Sequence, residues 1–375
     1  MSWAVWITGV PGSGKSTLAR GAARELRALH RTVHVLELDE IRKTLTPSPT
    51  YTEAEREEVY RTLVYLAAML TEAGVPVIID ATAHRRAWRD LARREIPRFA
   101  EVQIECPADV ARDRERTRAP GHAPRDIYAR AERPGAAVPG VNVPYEPALA
   151  PELVIDTARE NAEAGVARIV ALTRRLAAEH ALHDAPPPWA IWITGRPGSG
   201  KTTLAGRVAE AVAIRGFRVK VLDVLSLARF LPREMLVSEP HQEIIHRALA
   251  YAAKLLVEAG VAVIVDASAP RRAWRETARA LIPCFAEVQL RCPAHICVER
   301  ERAARWRAAP PGGLDAPPDT RIEYEDAHRP ELTLQTDAHD LWSLVDHVLS
   351  LINRLGRAAM LERLPSAPLD EPGRR

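Results

Sequence analysis

The residues from Gly9 to Ser16 have the types and spacing of a loop that binds phosphate. They read Gly-Val-Pro-Gly-Ser-Gly-Lys-Ser, in which glycines let backbone N–H groups surround a phosphate, the lysine reaches its oxygens and the last hydroxyl can bind Mg²⁺. The loop follows an apolar run and precedes a segment with helical spacing, so it would lie at a helix N-terminus, where anions are favoured. The motif predicts a nucleotide-binding site. Its residues are Gly9, Val10, Pro11, Gly12, Ser13, Gly14, Lys15, Ser16 and Thr17.

The same motif occurs a second time, from Gly195 to Thr202. The chain has only five lysines, and two of them, Lys15 and Lys201, stand at the matching position of the two motifs. We therefore expect a second nucleotide site. Its predicted residues are Gly195, Gly198, Ser199, Gly200, Lys201, Thr202 and Thr203.

Carboxylates end the next two predicted strands of the N-terminal half. Glu37 and Asp39 are expected to share one face of the second strand, because alternate residues of a strand point the same way. Asp39 could orient or deprotonate an acceptor hydroxyl or complete a Mg²⁺ shell; capping of the next helix is the alternative. Asp80 ends the apolar run 75–79. It could hold Mg²⁺ together with Ser16, and helix capping is again the alternative.

Arginines of the N-terminal half could hold anionic groups. Arg42 could bind an anionic acceptor through two parallel hydrogen bonds. The range 85–133 contains 13 arginines and nine acidic residues. Four of these arginines could form a lid that neutralises a transferring phosphate, or could be a solvated helical face paired with Asp113 and Glu115. The four are Arg112, Arg114, Arg116 and Arg118.

The hydrophobic pattern of the N-terminal half alternates between strands and helices. Continuous apolar runs predict buried parallel strands, and apolar residues three or four apart predict helices. The expected strands are 4–8, 32–38, 75–79, 102–106 and 153–156, and the expected helices are 16–29, 53–73, 85–96, 108–118 and 162–178. This order predicts an α/β fold with a parallel sheet covered on both faces.

An internal repeat divides the chain into two similar halves. The segment Trp3–Ser16 recurs as Trp189–Thr202, an offset of 186 residues, and 26 of the 37 positions in 72–108 are identical in the second copy. A repeat of this length is domain-sized. The sequence thus predicts two tandem P-loop NTPase-type domains, each a parallel sheet flanked by helices. We expect domains at 1–178 and 189–356, a proline-rich linker at 179–188 and a disordered tail at 357–375.

The composition argues against several classes of protein. Of 375 residues 27% are charged, and the formal net charge of +3 argues against a nucleic-acid-binding polycation. Four cysteines are too few for a disulfide framework. No apolar run approaches the roughly 18 residues of a membrane span, and the N-terminus lacks the features of a signal peptide. We expect a cytoplasmic protein without a membrane partner.

Several blocks of the N-terminal half resemble adenylylsulfate (APS) kinases. The most specific block, Pro144–Thr157, is similar to the C-terminal signature of that family, and the blocks 36–42, 51–56 and 125–131 follow the family's order. The resemblance implies sulfate activation by phosphoryl transfer from ATP, with Mg²⁺, to the 3′-hydroxyl of APS, giving PAPS and ADP. It implies Lys15 and Asp39 as catalytic residues. The implied acceptor-binding residues are Asp39 at the hydroxyl, Arg42 and Arg56 at the phosphosulfate and Tyr51 stacked on the adenine.

The N-terminal half departs from the family pattern on the acceptor side. The asparagine that the family has three residues after Arg56 is Val59, and the lid segment 138–142 lacks an aromatic residue. Two alternatives to an APS kinase therefore stay open. One is a kinase with another acceptor, such as a polynucleotide end or a small metabolite. The other is a regulatory protein that binds nucleotide without turnover.

The C-terminal half keeps its phosphate loop but has different residues at the acceptor positions. Asp39, Arg42, Arg56 and Tyr51 correspond to Leu225, Ala228, Gln242 and Val237. Because the carboxylate and both guanidinium groups are missing, we expect catalysis by the N-terminal copy alone and a structural or nucleotide-sensing C-terminal copy. The expected partners are ATP and APS, without nucleic acid. Analogy with the family suggests an intramolecular pseudo-dimer or a homo-oligomer.

Overall fold

The computed structural model of the chain describes residues 2–29, 32–117, 127–131, 137–177, 188–232, 238–308 and 322–363. Of the linker predicted at 179–188, only Pro188 lies within these ranges, and residues 364–375 of the predicted tail lie outside them. No helix in the described part of the chain is both long and apolar enough to cross a membrane.

The chain forms two compact units whose limits differ from those of the repeat. The first unit contains Met1–Ala181 and Val224–Ala259, and the second contains Leu182–Asp223 and Gly260–Arg375. The segment 224–259 belongs to the C-terminal copy by sequence but packs as part of the first unit. The domains predicted at 1–178 and 189–356 therefore follow the repeat, and the packing divides the chain differently.

Five parallel strands form the sheet of the N-terminal copy. They are β1 (Ala4–Thr8), β2 (His34–Glu37), β3 (Val77–Asp80), β4 (Phe99–Glu105) and β5 (Leu153–Asp156), in the order β2-β3-β1-β4-β5. Every residue of β1 is buried, as expected for a parallel strand covered on both faces. The register places Glu37 and Ile7 beside Asp80. The carboxyl ends of three strands therefore meet at one edge.

The helices of the N-terminal copy cover this sheet. They are α1 (Lys15–Ala28), α2 (Leu38–Leu45), α3 (Glu53–Glu72), α4 (Arg86–Glu95), α5 (Ala108–Thr117), α6 (Ile127–Ala131) and α7 (Ala162–Leu176). The hydroxyl of Thr52 accepts a hydrogen bond from the N–H of Glu55 and so caps α3. The α/β fold and the predicted strands and helices of the N-terminal half are confirmed. Helices α2 and α6 are additional, and the sequence pattern did not predict them.

The C-terminal copy repeats this architecture. Its strands are β6 (Ala190–Gly195), β7 (Val219–Asp223), β8 (Ala262–Asp266), β9 (Phe285–Arg291) and β10 (Leu332–Gln335), in the order β7-β8-β6-β9-β10. Its helices are α8 (Lys201–Ile214), α9 (Val224–Ala228), α10 (Glu239–Glu258), α11 (Arg272–Leu281), α12 (Ala294–Ala308) and α13 (Leu341–Arg363). Helix α13 continues past the predicted domain end at residue 356. Residues 357–363 include good helix formers and no proline, so nothing local stops the helix there.

Both copies contain the same buried ion pair. In the N-terminal copy, Nε of Arg89 lies 2.6 Å from Oε1 of Glu101. In the C-terminal copy, Arg275 and Glu287 make the same contact at 2.7 Å. Each arginine also donates to backbone carbonyls at the carboxyl edge of its sheet, among them that of Ala83 in the first copy. In each copy the pair therefore connects a helix with a strand of the sheet and with the loop at the carboxyl edge of that sheet.

The segment 224–259, which contains α9 and α10, packs against α3 within the first unit. The rings of Tyr65 and Phe230 meet edge to face with their centroids 5.4 Å apart. A guanidinium nitrogen of Arg61 donates to the carbonyl of Phe230 at 3.2 Å. This burial of apolar surface explains why the segment 224–259 groups with the first unit.

Glu58 is a buried acid of α3 that faces α10. Its side chain is 2% exposed, and Oε2 lies 4.0 Å from Nε2 of His241. Oε1 has no hydrogen-bond partner in the described part of the chain. Burial, with a smaller effect of Glu55, raises the pKa of Glu58 to about 7.

Glu58→Gln tests this environment through the pH dependence of stability. In the wild type, unfolding lets Glu58 release its proton between about pH 4.5 and 7, so this carboxyl lowers stability as the pH rises through that window. The cost is about 1.4 kcal/mol for each unit of pKa shift. We expect Glu58→Gln to lose less stability than wild type between pH 5 and pH 8, measured by urea unfolding. The exposed Glu25→Gln is the control and should show the pH dependence of wild type. If the free energy of unfolding of Glu58→Gln varied with pH as it does in wild type and in this control, the raised pKa of Glu58 would be contradicted.

Candidate active site

The loop between β1 and α1 has a conformation that requires glycine. Gly12 has φ of 78°, and a Cβ atom there would lie 2.1 Å from the carbonyl oxygen of Ala111. Gly14 has φ of 97° and is the N-cap of α1. These left-handed residues turn the loop so that it wraps around the start of the helix, where backbone N–H groups are available to an anion.

Contacts from other elements hold this loop in place. Nζ of Lys15 donates to the carbonyl of Val10 at 2.8 Å. The hydroxyl of Tyr128 donates to the carbonyl of Pro11, and that of Thr157 to the carbonyl of Ser13, both at 2.9 Å. The loop is thus fixed at three points before any phosphate binds.

Thr157 ends the block 144–157 that resembles the family signature, but the resemblance assigned no role to it. Its hydroxyl and carbonyl oxygens accept hydrogen bonds from Arg114, at 3.0 and 2.8 Å. Arg114 was predicted as a lid residue, but its guanidinium is engaged with the residue that supports the loop. The signal that could have identified Thr157 is its place just after the carboxyl end of β5.

Three carboxylates act on one another near the start of α1. The hydroxyl of Ser16 is hydrogen-bonded to Asp80, and Glu37 is its neighbour in the sheet. Burial raises the pKa of Asp80, and the negative charges of Glu37 and Asp39 raise it further. The charge of Lys15 and the hydrogen bond from Ser16 act in the opposite direction. The site therefore concentrates negative charge beside the hydroxyl of Ser16.

Asp39 lies in the first turn of α2 and not on a strand. Strand β2 ends at Glu37, so the prediction that Glu37 and Asp39 share a strand face is wrong. Acidic residues are favoured in a first helical turn, and the buried Ile41 and Leu45 form a helical stripe in place of strand alternation. Asp39 is half-buried and still lies near Asp80, on whose pKa it acts.

The residues around Ser16 fit a Mg²⁺ ion that takes its other ligands from phosphate and water. Mg²⁺ takes oxygen ligands, and in kinase sites one or two protein carboxylates suffice because phosphates and water supply the rest. Ser16 and Asp80 offer a hydroxyl and a carboxylate. Within the described ranges, no group of three His, Cys, Asp or Glu side chains forms a metal site, so these residues do not provide a cage made of protein alone.

The predicted acceptor residues form one cluster at the start of α3. Arg42 is paired with Glu55 at 2.9 Å, and its guanidinium carbon lies 5.4 Å from the centre of the Tyr51 ring. Arg56 donates to the carbonyls of Tyr51 and Ala137, at 3.0 and 2.6 Å. The ring of Tyr51 is 42% exposed and has one face available to a planar ligand.

Tyr51 has a backbone conformation that is uncommon for its residue type. Its φ is 55°, in the left-handed region. Glu55 accepts a hydrogen bond from the N–H of Thr50, and Arg56 holds the carbonyl of Tyr51. The residues of the cluster thus stabilise the turn that presents the ring.

His84 lies beside this cluster, and no motif marks it. It is 2% exposed, and neither ring nitrogen has a hydrogen-bond partner among the described residues. Nε2 lies 4.0 Å from Oε1 of Glu53. Burial lowers the pKa of His84 to about 4, so the ring is neutral near pH 7. Its position just after β3 is the one feature of the sequence that could have pointed to it.

The four candidate lid arginines have different environments. Arg112 lies over the ring of Tyr128 at 5.5 Å, and Arg114 binds Thr157. Arg116 forms an exposed pair with Asp113 at 3.3 Å, as the solvated-face alternative proposed. Arg118 lies outside the described residues. Arg112 and Arg114 therefore each contact a residue that holds the loop, Tyr128 and Thr157 respectively.

The C-terminal copy repeats the loop geometry. A Cβ atom on Gly198 would lie 2.2 Å from the carbonyl oxygen of Cys297. Nζ of Lys201 donates to the carbonyls of Gly195 and Arg196, at 3.0 and 3.1 Å. Val237, the counterpart of Tyr51, lies outside the described residues.

Comparisons with known proteins agree with the predicted resemblance. The family model for adenylylsulphate kinase matches residues 1–156 and 187–335, and so covers both copies. A probable adenylyl-sulfate kinase of Archaeoglobus fulgidus is 35% identical over 158 residues, which are 42% of this chain and 97% of that protein. An adenylyl-sulfate kinase of Synechococcus sp. strain JA-3-3Ab is 36% identical over 159 residues, 42% of this chain and 85% of that protein.

A solved structure is also similar to part of the chain. It is the Mycobacterium tuberculosis APS kinase in complex with AMPPNP and APS, which is 26% identical, with a TM-score of 0.42. The match covers 46% of this chain and 98% of that one. Like the two relatives, it corresponds in length to one copy of the repeat.

Gly12→Ala tests the loop geometry. The new methyl group would meet the backbone of Ala111 and force a left-handed φ on alanine, so we expect about 10²-fold weaker binding of an ATP analogue. The titration is made in a chain that also carries Lys201→Ala, so that it reports on the first loop. Gly206→Ala is the matched control, because a Cβ atom there meets nothing within 4 Å. Equal affinities of the two variants would show that the loop does not form the site.

Proposed function

The chain belongs to the adenylylsulphate kinase family, and we propose that its N-terminal copy transfers the γ-phosphoryl group of ATP to the 3′-hydroxyl of adenosine 5′-phosphosulfate (APS). The products are PAPS and ADP. As a member of this family the chain is a phosphotransferase. The observation that carries the proposal is one of proximity. In the first unit, the phosphate loop, Asp39 and the cluster of Arg42, Tyr51 and Arg56 lie at the same edge of the sheet.

The loop and Lys15 would bind and polarise the phosphates of ATP. Backbone N–H groups at the start of α1 and the ammonium group of Lys15 are fixed donors, so they need little reorganisation as charge shifts during transfer. The hydrogen bonds from Tyr128 and Thr157 keep the loop in this geometry. Lys15 would exchange the carbonyl of Val10 for phosphate oxygens.

Ser16 and Asp80 would hold Mg²⁺. Mg²⁺ bound there would supply positive charge to neutralise the charge that develops on the phosphate oxygens during transfer. The negative charge around Asp80 favours a cation at this point, and Glu37 is kept in place by two hydrogen bonds of 2.8 Å from Arg20.

Asp39 would accept the proton of the acceptor hydroxyl. As that oxygen attacks the γ-phosphorus, a new P–O bond forms and the bond to the β–γ bridging oxygen breaks, releasing ADP. This carboxylate stands in the first turn of α2, and its charge acts on Asp80, the partner of Ser16 in the phosphate loop, and on Tyr60 of α3. Positioned proton transfer of this kind contributes about 10²- to 10⁴-fold to rate.

Arg42 and Arg56 would bind the phosphosulfate, and Tyr51 would stack on the adenine. Guanidinium groups are well suited to oxyanions because they offer donors in a planar fork. An acceptor anion would compete with Glu55 for Arg42. Arg56 donates to the carbonyls of both Tyr51 and Ala137, so it would also link the position of the stacking ring to that of the chain at residue 137.

The assay that tests this proposal measures PAPS formed from ATP, Mg²⁺ and APS. We expect turnover by wild type and a fall of about 10²- to 10⁴-fold in kcat for Asp39→Asn, because the hydroxyl then lacks its proton acceptor. Asp109→Asn, an exposed aspartate of α5, is the matched control and should retain full rate. Absence of PAPS from wild type would refute the acceptor, and transfer to an oligonucleotide end or a small metabolite would then support the alternative kinase.

Arg42→Ala tests the acceptor cluster. Losing one charge-assisted contact is expected to raise the KM for APS by about 10- to 100-fold, while the KM for ATP changes little. Arg116→Ala is the control, because its exposed pair with Asp113 contributes little to stability or binding. Equal effects of Arg42→Ala on both KM values would show that Arg42 does not belong to the acceptor site.

A further inference from the structure

The C-terminal copy keeps the strained part of a phosphate loop. Gly195, Gly198 and Gly200 have φ angles of 150°, 78° and 97°. Their counterparts Gly9, Gly12 and Gly14 have 152°, 78° and 97°. Only glycine adopts such φ angles without a steric penalty, and fixing a glycine in one conformation costs conformational entropy on folding. Their retention in both copies indicates that the second loop still has a ligand.

The buried polar groups of the second loop point to an anion. The hydroxyl oxygen of Ser199 is buried and has no hydrogen-bond partner among the described residues, and a bound phosphate would give it one. Lys201 is 9% exposed and donates to the carbonyls of Gly195 and Arg196, which it would exchange for phosphate oxygens.

Two of the contacts around the first loop recur around the second. Arg300 donates to the hydroxyl and carbonyl oxygens of Thr336 at 3.2 and 2.9 Å, as Arg114 does to Thr157 in the first copy. Gly198 packs against the backbone of Cys297, as Gly12 does against Ala111.

The carboxylates beside the second loop are those that a Mg²⁺-bound nucleotide needs. Asp223 and Asp266 are aligned at the ends of β7 and β8. Asp266 is 8% exposed and Thr202 follows Lys201 in the loop, so a hydroxyl and a buried carboxylate are again available. Oxygen ligands of this kind suit Mg²⁺.

At the positions of Asp39, Arg42 and Arg56, the C-terminal copy has no carboxylate or guanidinium group. Leu225 is 50% exposed where Asp39 could take a proton, and Ala228 and Gln242 stand where two guanidinium groups could hold an anion. These residues lie on α9 and α10, in the segment that packs with the first unit.

We propose that the C-terminal phosphate loop is a second site that binds a nucleoside di- or triphosphate with Mg²⁺ and transfers no phosphoryl group. The site goes beyond the proposed reaction, since it gives the chain a second nucleotide that is bound and not consumed. A ligand that binds only the folded state stabilises it in proportion to the logarithm of its concentration. The second nucleotide would therefore stabilise the unit that contains β6 to β10.

Equilibrium dialysis with AMPPNP and Mg²⁺ tests this site. We expect two molecules bound per wild-type chain, one in Lys15→Ala, one in Lys201→Ala and none in the double variant. PAPS formation is measured on the same samples. Lys15→Ala should lower it at least 10²-fold, and Lys201→Ala should lower it less than tenfold.

The possible outcomes separate this inference from the proposed function. One molecule per wild-type chain, with no loss on Lys201→Ala, would overturn the second site and leave the reaction untouched. An equal loss of turnover in both single variants would also overturn it, because the C-terminal copy would then take part in transfer. Two molecules bound without PAPS from wild type would support the site while refuting the acceptor. If Lys201→Ala fails to fold, the second site is tested in Lys15→Ala by measuring its melting temperature with and without AMPPNP. A rise would support the second site, and no rise would refute it.

Discussion

The close approach of the phosphate loop to helix α5 is the constraint on which the rest of the site depends. At Gly12 the backbone of the loop lies so near Ala111 that no side chain fits. This contact directs the loop around the start of α1, and Tyr128 and Thr157 then fasten it at Pro11 and Ser13. Once the loop is fixed, the parallel register of β1, β2 and β3 brings Glu37 and Asp80 to its hydroxyl side. Arg42 on α2 and Arg56 on α3, which we propose to bind the acceptor, would then meet the phosphates at this edge.

The duplication shows which parts of this arrangement tolerate change. The buried pair Arg89–Glu101 has an identical counterpart in Arg275–Glu287, because removing one partner of such a pair would leave a buried charge at a cost of about 3–5 kcal/mol. The glycine angles of the loop are likewise the same in both copies. On the acceptor side, Arg42 pairs with Glu55 and Arg56 holds two carbonyls in the first copy, whereas the C-terminal copy forms its sheet with Ala228 and Gln242 at those positions. The two copies thus share a scaffold and differ in the residues that would do chemistry.

Much of the fold could be predicted from sequence because its signals are local. Glycine spacing, apolar runs and the repeat predicted two parallel sheets with a phosphate loop after the first strand of each. Asp39 was misplaced on a strand, since two polar residues at a strand end do not show where the next helix begins. The packing of 224–259 with the first unit, the support of Thr157 by Arg114 and the burial of His84 depend on residues far apart in the chain. No periodicity in a single segment could have revealed them.

We infer that both copies bind nucleotide and that only the N-terminal copy transfers phosphate. Single-turnover transfer of labelled γ-phosphate from ATP to APS, with the protein in excess over ATP, distinguishes the two roles. We expect a fast phase from ATP bound at the N-terminal loop and a slow phase limited by release from the C-terminal loop. In Lys15→Ala we expect bound ATP with no transfer. Transfer by Lys15→Ala at a rate near that of wild type would contradict this inference.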